Sequence, residues 1–300
     1  MVTPPSLKPG DVIRVIAPSG AFNRDLFDDG VSLLRERGFT VRVSDRIFER
    51  QRYLAGAVES RIVELNEAFA EPDTRAVWAA RGGYGAGQLV SEMLLPSQVP
   101  DKWLVGFSDV TALHLRLQDH GVASLHGPNM TTLVGWKEED REELFSILGG
   151  TCDQEFLGCA VHGAAREVTG PLFGGNLTVM TSLVGTGMLP SLKGAVVFLE
   201  DVGERPYRLD RSLNQLRLSG IFNEVAGFVL GQWKGCLSPD GSYSGLEVVV
   251  EELEAYGVPI LSGVDVGHEA HSRPLLLGAS ATLDVAATVF KVRHGAPDGE

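Results

Sequence analysis

The stretch Trp103-Leu104-Val105-Gly106-Phe107-Ser108-Asp109-Val110-Thr111-Ala112-Leu113-His114 decides how the rest of the chain is read. An apolar run leads into Gly106 and Phe107, as in a buried parallel strand. Beyond Ser108, Val110, Leu113 and Leu117 recur at helical spacing. Ser108 therefore falls at a sharp strand-to-helix turn, which lifts its hydroxyl out of the backbone at the positive end of a helix. A nucleophilic serine is placed in this way. Ser108 or Asp109 could equally serve only as a helix N-cap, and G-x-S-D lacks the second glycine of the G-x-S-x-G elbow.

Outward from this turn, strand and helix alternate. Val12 to Ala17 reads as a strand, Leu26 to Arg37 as a helix closed by Gly38, and Phe39 to Val43 as a second strand. Ile62, Leu65 and Phe69 line a helix stopped by Pro72, and Ala76 to Ala80 forms the third strand. It runs into Arg81-Gly82-Gly83-Tyr84-Gly85-Ala86-Gly87. Ala123 to His126 supplies a fifth strand, followed by a helix from Glu138 to Leu148. The expectation is an α/β protein: an N-terminal parallel sheet with helices on both faces, flavodoxin- or Rossmann-like, over residues 1–150. Residues 151–166 read as an irregular linker. Residues 167–300 read as a smaller, mixed α/β domain, with strands near Val168, Gly194, Val225 and Ile260, helices at 176–183, 207–219 and 244–256, and an antiparallel pair over Ser280 to Val292.

A net charge of −13 argues against nucleic acid or an anionic membrane as partner. No apolar run approaches the roughly 20 residues that span a bilayer, and Met1 to Gly10 has no apolar core of a signal peptide. A cytoplasmic protein is expected. The three cysteines, Cys152, Cys159 and Cys236, are too few and too scattered for a metal site, and are expected as buried thiols.

Acyl transfer by serine needs a hydroxyl, a base, a group that orients the base, and donors for the oxyanion. In a parallel sheet ligands gather beyond the carboxyl ends of the strands, which places the Arg81–Gly87 loop beside Ser108. Its glycines let backbone N–H groups face a ligand; they are equally the residues of a tight turn. The Asp109 N–H is the other candidate donor. Gly194 to Glu204 is a buried strand ending in Glu200 and Asp201, which either meet a cation or imidazole or merely pair with Arg205, Arg208 or Arg211. Leu261 to His268 ends a further strand in Gly267-His268. His268-Glu269-Ala270-His271 is not H-E-x-x-H and has no clear third ligand, so no metal is expected. His114, His120, His126, His162 and His294 read as structural or solvated.

Taken together, Gly106 to His114, Arg81-Gly82-Gly83-Tyr84-Gly85, Phe173-Gly174-Gly175-Asn176-Leu177, Leu199-Glu200-Asp201-Val202-Gly203-Glu204-Arg205-Pro206-Tyr207-Arg208 and Gly267-His268 resemble the LD-carboxypeptidase family. That family comprises the muramoyltetrapeptide carboxypeptidases and the microcin-immunity serine peptidases. The match runs from Leu7-Lys8-Pro9-Gly10-Asp11 to Gly278, with the motifs in the family's order. The resemblance implies Ser108 as nucleophile, Glu200 orienting the base and His268 as general base. It also implies oxyanion donors at Gly83 (Gly82 the alternative) and at the Asp109 N–H. The implied enzyme is a metal-independent serine carboxypeptidase with no cofactor. It would act as a homodimer and remove the terminal D-alanine of muropeptide tetrapeptides in peptidoglycan recycling. The alternatives are a microcin-immunity peptidase cleaving peptidyl- or aminoacyl-nucleotide toxins and, in another class, a two-domain ligand-binding protein without chemistry. After His268 the chain departs from the family: Leu276 stands where the L-P-x-G segment carries its proline.

Overall fold

A computed structural model describes residues 1–95, 101–151, 153–163 and 167–295. The first half runs β1 (Val12–Ile16), α1 (Arg24–Glu36), β2 (Thr40–Val43), α2 (Val58–Ala70), β3 (Thr74–Ala79), β4 (Trp103–Gly106), α3 (Thr111–Asp119), β5 (Ser124–His126) and α4 (Glu138–Leu148). The second runs β6 (Gln154–Leu157), β7 (Cys159–His162), β8 (Glu167–Asn176), α5 (Leu177–Ser182), β9 (Val196–Val202), α6 (Pro206–Ser219) and β10 (Gly227–Lys234). It continues through α7 (Gly245–Glu254), β11 (Ile260–Ser262), β12 (Leu275–Leu277), β13 (Ser280–Asp284) and β14 (Val289–Arg293).

Two sheets result. The first has the order β12-β5-β4-β3-β1-β2 and is parallel except for β12, which runs against β5. Successive residues of β3 point to opposite faces. Trp78 belongs to the same buried cluster as Phe27 of α1 and Leu144 of α4, whereas Val77 belongs to the other, with Leu65 of α2 and Leu113 of α3. Helices thus cover both faces, as a continuously apolar strand requires. The second sheet has the order β6-β14-β13-β8-β9-β10-β11-β7, with β8 to β11 parallel and the flanks antiparallel. Each hydrophobic cluster runs through both sheets; Leu113 of α3, Leu177 of α5 and Val197 of β9 belong to one of them. The seam between the sheets is therefore packed core.

Two expectations are corrected, and one strand is added. Within the stretch expected as an irregular linker, Gln154–Leu157 and Cys159–His162 are strands: β6 pairs with β14 and β7 with β11, capping both edges of the second sheet. Their alternation is short and half exposed, so periodicity does not reveal them. The strand β12 was also not anticipated, because three leucines carry no period. Leu276, in the family's proline position, turns its N–H away from β5 to Gln154 Oε1 at 3.0 Å. An outward N–H on an edge strand is the one a proline can do without. Finally, Cys159 is exposed on the edge strand β7, whereas Cys236 is buried and its thiol is pushed up to about 11 by burial. Cys152 lies outside the described residues.

Candidate active site

Ser108 follows β4 as expected, in a short 3-10 turn over Ser108–Val110 that leads into α3. Its φ of 65° lies in the left-handed region, which costs a non-glycine residue about 1–3 kcal/mol and persists only where the surroundings impose it. Those surroundings are visible. The Asp109 carboxylate is buried and accepts the Ser19 hydroxyl at 2.6 Å and the Ala86 N–H at 2.8 Å, tying the loops after β1 and β3 to the serine turn. Burial raises the Asp109 pKa against the lowering effect of these two bonds.

Gly82 presses directly on the serine. A Cβ built there would lie 2.9 Å from Ser108 Cβ and 3.2 Å from its Oγ. The N–H groups of Gly82 and Gly83 donate to no backbone group among the described residues. Gly82→Ala is expected to fold, since its backbone is not left-handed, but to push the serine aside. A displacement of this kind lowers kcat about 100-fold, readable by steady-state assay, with a thermal melt showing that the variant still folds, at a somewhat lower melting temperature.

Glu200 lies within β9 and is fully buried; its Oε2 is 2.6 Å from His268 Nδ1. Its other oxygen accepts Asn176 Nδ2 at 3.2 Å, and the same amide reaches Asp201 Oδ1 at 3.1 Å. Asp201 also accepts the Thr178 N–H and hydroxyl at 2.9 and 2.7 Å. Burial and the neighbouring Glu200 charge raise its pKa. For His268, burial lowers the pKa, but the Glu200 charge and hydrogen bond, with Asp201 behind them, outweigh it and leave a net rise above 6.5.

His268 sits in the loop after β11. The Gln232 side chain holds the segment that follows His268, accepting the Glu269 N–H at 2.8 Å and donating to the His271 carbonyl at 2.6 Å. Ser272 closes the turn through the Gly267 N–H and carbonyl at 2.9 and 3.0 Å. The imidazole lies against the ring of Phe107, the residue before Ser108, with centroids 4.8 Å apart. His126 supports Phe107 edge-on from below at 5.9 Å. The expected serine, histidine and glutamate thus converge on one seam; the direct hydrogen bond is His268–Glu200, and none joins Ser108 Oγ to His268 within 3.5 Å. His271 is directed elsewhere, to Asp140 at 3.0 Å, and with Glu139 these side chains bring three potential ligand atoms within 4.8 Å of one another.

Asn176, Gln232 and Ser272 were not assigned roles from the sequence. Asn176 was the one with a local signal: it ends a strand and caps α5 by accepting the Val179 N–H at 3.1 Å. Its own N–H donates to Thr111 Oγ1 at 3.0 Å, bridging the serine helix to the glutamate strand. Gly175 must be glycine for that approach, since a Cβ would stand 2.6 Å from the same Thr111 oxygen.

Family models for the LD-carboxypeptidase N-terminal and C-terminal domains match residues 13–127 and 169–283. The chain belongs to the LD-carboxypeptidase family. The murein tetrapeptide carboxypeptidase of Pseudomonas aeruginosa is 34% identical over 91% of this chain and 92% of its own. The crystal structure of muramoyltetrapeptide carboxypeptidase from Oxalobacter formigenes superposes with a TM-score of 0.81 at 26% identity, covering 94% and 97% of the two chains. The microcin C7 self-immunity protein MccF of Escherichia coli is 22% identical over 89% of this chain and 88% of its own. The MccF structure with glutamyl sulfamoyl guanosine has a TM-score of 0.85 at 22% identity, over 98% and 99% of the chains, a likeness of fold. The glycine loop and the serine turn lie within the N-terminal match, and Glu200 and His268 within the C-terminal one. Among the described residues no helix is long and apolar enough to cross a membrane.

Proposed function

We propose that this LD-carboxypeptidase is a serine peptidase that removes the terminal D-alanine from murein tetrapeptides during peptidoglycan recycling in the cytoplasm. The observation that carries this reading is the buried Glu200 carboxylate 2.6 Å from His268 Nδ1, with the imidazole packed beside the serine turn. An Nδ1–H held by a carboxylate leaves Nε2 as the proton acceptor.

Substrate binding brings His268 Nε2 onto Ser108 Oγ, a contact that commonly tightens only in the complex. The hydroxyl proton passes to Nε2 as Oγ bonds to the scissile carbonyl carbon. The oxyanion is met by the N–H groups of Gly83 (or Gly82) and Asp109. The amide C–N bond then breaks, and its nitrogen takes the proton from His268. Water then adds to the ester and gives a proton to His268, and as the acyl–oxygen bond breaks Ser108 Oγ takes that proton, which restores both the hydroxyl and the neutral base. No step calls on a metal, so EDTA leaves the rate unchanged. Homodimerisation and the absence of nucleic-acid or membrane partners complete the proposal.

Purified protein incubated with murein tetrapeptide releases one alanine, read by mass spectrometry, and leaves an aminoacyl sulfamoyl adenylate intact. The reverse outcome favours the microcin-immunity activity. Cleavage of neither, with tight binding, favours a binding module.

A further inference from the structure

Beside the glycine loop lies a cleft of about 390 Å³, bordered by Gly20 and Gly83 and by three arginines, Arg50, Arg52 and Arg81. In a chain of net charge −13 this is an unusual concentration of positive charge. Other arginines of the same half are neutralised by carboxylates: Arg14 by Glu64, Arg42 by Asp73, Arg46 by Glu67 and Arg75 by Asp101. Among the described residues Arg50, Arg52 and Arg81 form no ion pair. Larger cavities open on α2 and on the face of β13 and β14, but neither touches the serine loops.

The cleft is also built rather than incidental. Gln51 and Leu54 exchange both backbone hydrogen bonds at 3.0 Å, so residues 51–54 form a tight turn. Arg52 occupies its tip at a left-handed φ of 56°, a strained position of the kind that clusters at ligand clamps. The turn is fixed to the loop after β1 by Ala21 N–H to the Tyr53 carbonyl (2.9 Å) and Ala55 N–H to the Ser19 carbonyl (3.0 Å). That loop is fixed to the catalytic glycines by Gly20 N–H to the Gly82 carbonyl at 3.1 Å. Arg81 lines the cleft and donates to the Ala21 carbonyl. Tyr53 and Tyr84, both exposed, pack edge to face at 5.9 Å along one wall. The turn that carries Arg52 is thus tied, through the loop after β1, to the glycine loop that carries Gly82 and Gly83.

We infer that this cleft is the subsite for a free carboxylate of the peptide substrate, with Arg50 and Arg52 as its specificity-determining cations. It rests on the carboxypeptidase reading above and deepens it. A carboxypeptidase must detect a chain end, and the guanidinium fork matches a carboxylate with two parallel hydrogen bonds. The carboxylate belongs either to the residue being released or to an acidic residue on the acyl side.

The test uses full-length protein with Ser108→Ala, so that binding is read without turnover. Calorimetry measures the free-acid tetrapeptide, its C-terminal amide and the form amidated at the internal acidic residue. Arg50→Gln with Arg52→Gln is expected to weaken binding of the free acid at least about 10-fold, and the Lys pair, which keeps the charge but not the fork, to restore only part of it. One amide binds as weakly as the free acid does to the Gln pair and is indifferent to the substitutions; which amide it is identifies the carboxylate. The inference is overturned if the Gln pair changes the free-acid affinity less than twofold, if all three ligands weaken equally, or if the tetrapeptide does not bind. Should the peptide bind through the arginines while the unmodified enzyme releases no alanine, the proposed reaction fails and the subsite stands.

Discussion

Ser108→Ala is expected to reduce kcat on the tetrapeptide by a factor on the order of 10⁴ to 10⁶, with the melting temperature nearly unchanged. The magnitude follows from the division of labour at the seam. Without the hydroxyl, His268 and Glu200 have no acyl acceptor to activate, and only binding and the oxyanion donors remain to assist water. Stability is spared for structural reasons. Among the described residues the Ser108 hydroxyl has no hydrogen-bond partner, so its removal orphans nothing there, and alanine adopts the φ of 65° at a cost similar to serine. Kinetics and a thermal melt on the same preparation check both halves. A variant within tenfold of wild type would exclude Ser108 as nucleophile.

Glu200→Gln is expected to lower kcat by about 10³- to 10⁴-fold, through a different cause. Asn176 Nδ2 faces one oxygen of Glu200 and His268 Nδ1 the other, at 3.2 and 2.6 Å. A glutamine would present its carbonyl to Asn176 and its NH₂ to His268. Nδ1 would then accept, Nε2 would carry the proton, and the base would be the wrong tautomer. The pH profile separates this effect from simple damage. Glu200 and Asp201 outweigh burial and hold the His268 pKa above 6.5, so wild-type kcat/KM falls as pH drops through that raised value. In the variant the residual activity keeps its acid limb at lower pH, because burial is no longer opposed by Glu200. Stability moves oppositely. The stabilisation by the charged pair is fully present below 6.5 and is lost as pH rises through the raised pKa, where the neutral base becomes available. An unshifted limb in Glu200→Gln would contradict the orienting role.

Much of this was legible in the chain because strongly periodic segments report themselves. The helix over Glu138–Leu148 and the Ser108 turn stand where the apolar spacing puts them. Segments whose structure depends on distant partners did not. Gln154–Leu157 and Cys159–His162 become strands only because Val289–Arg293 and Ile260–Ser262 offer free edges. Leu275–Leu277 crosses to the first sheet for the same reason. At the site, each group of the serine–histidine–glutamate set carried a local mark: a strand-to-helix serine, a carboxylate at the end of an apolar strand, a histidine after glycine. Their convergence did not, and came from the resemblance. Gln232 and Ser272 left no mark at all, since a clamp on a loop 35 or more residues distant, or a turn closed by a single hydroxyl, looks like any polar side chain. Asp109 was anticipated for its backbone N–H, whereas its side chain ties three loops together.

The most direct measurement is acid-quenched turnover of the tetrapeptide followed by peptide mapping of the enzyme. It should find the tripeptide acyl group esterified to the peptide containing Ser108, formed at least as fast as alanine is released and absent from Ser108→Ala. Full-rate alanine release with the acyl group on another residue, or undiminished release from Ser108→Ala, would contradict a mechanism in which that serine, deprotonated by His268, attacks the terminal bond.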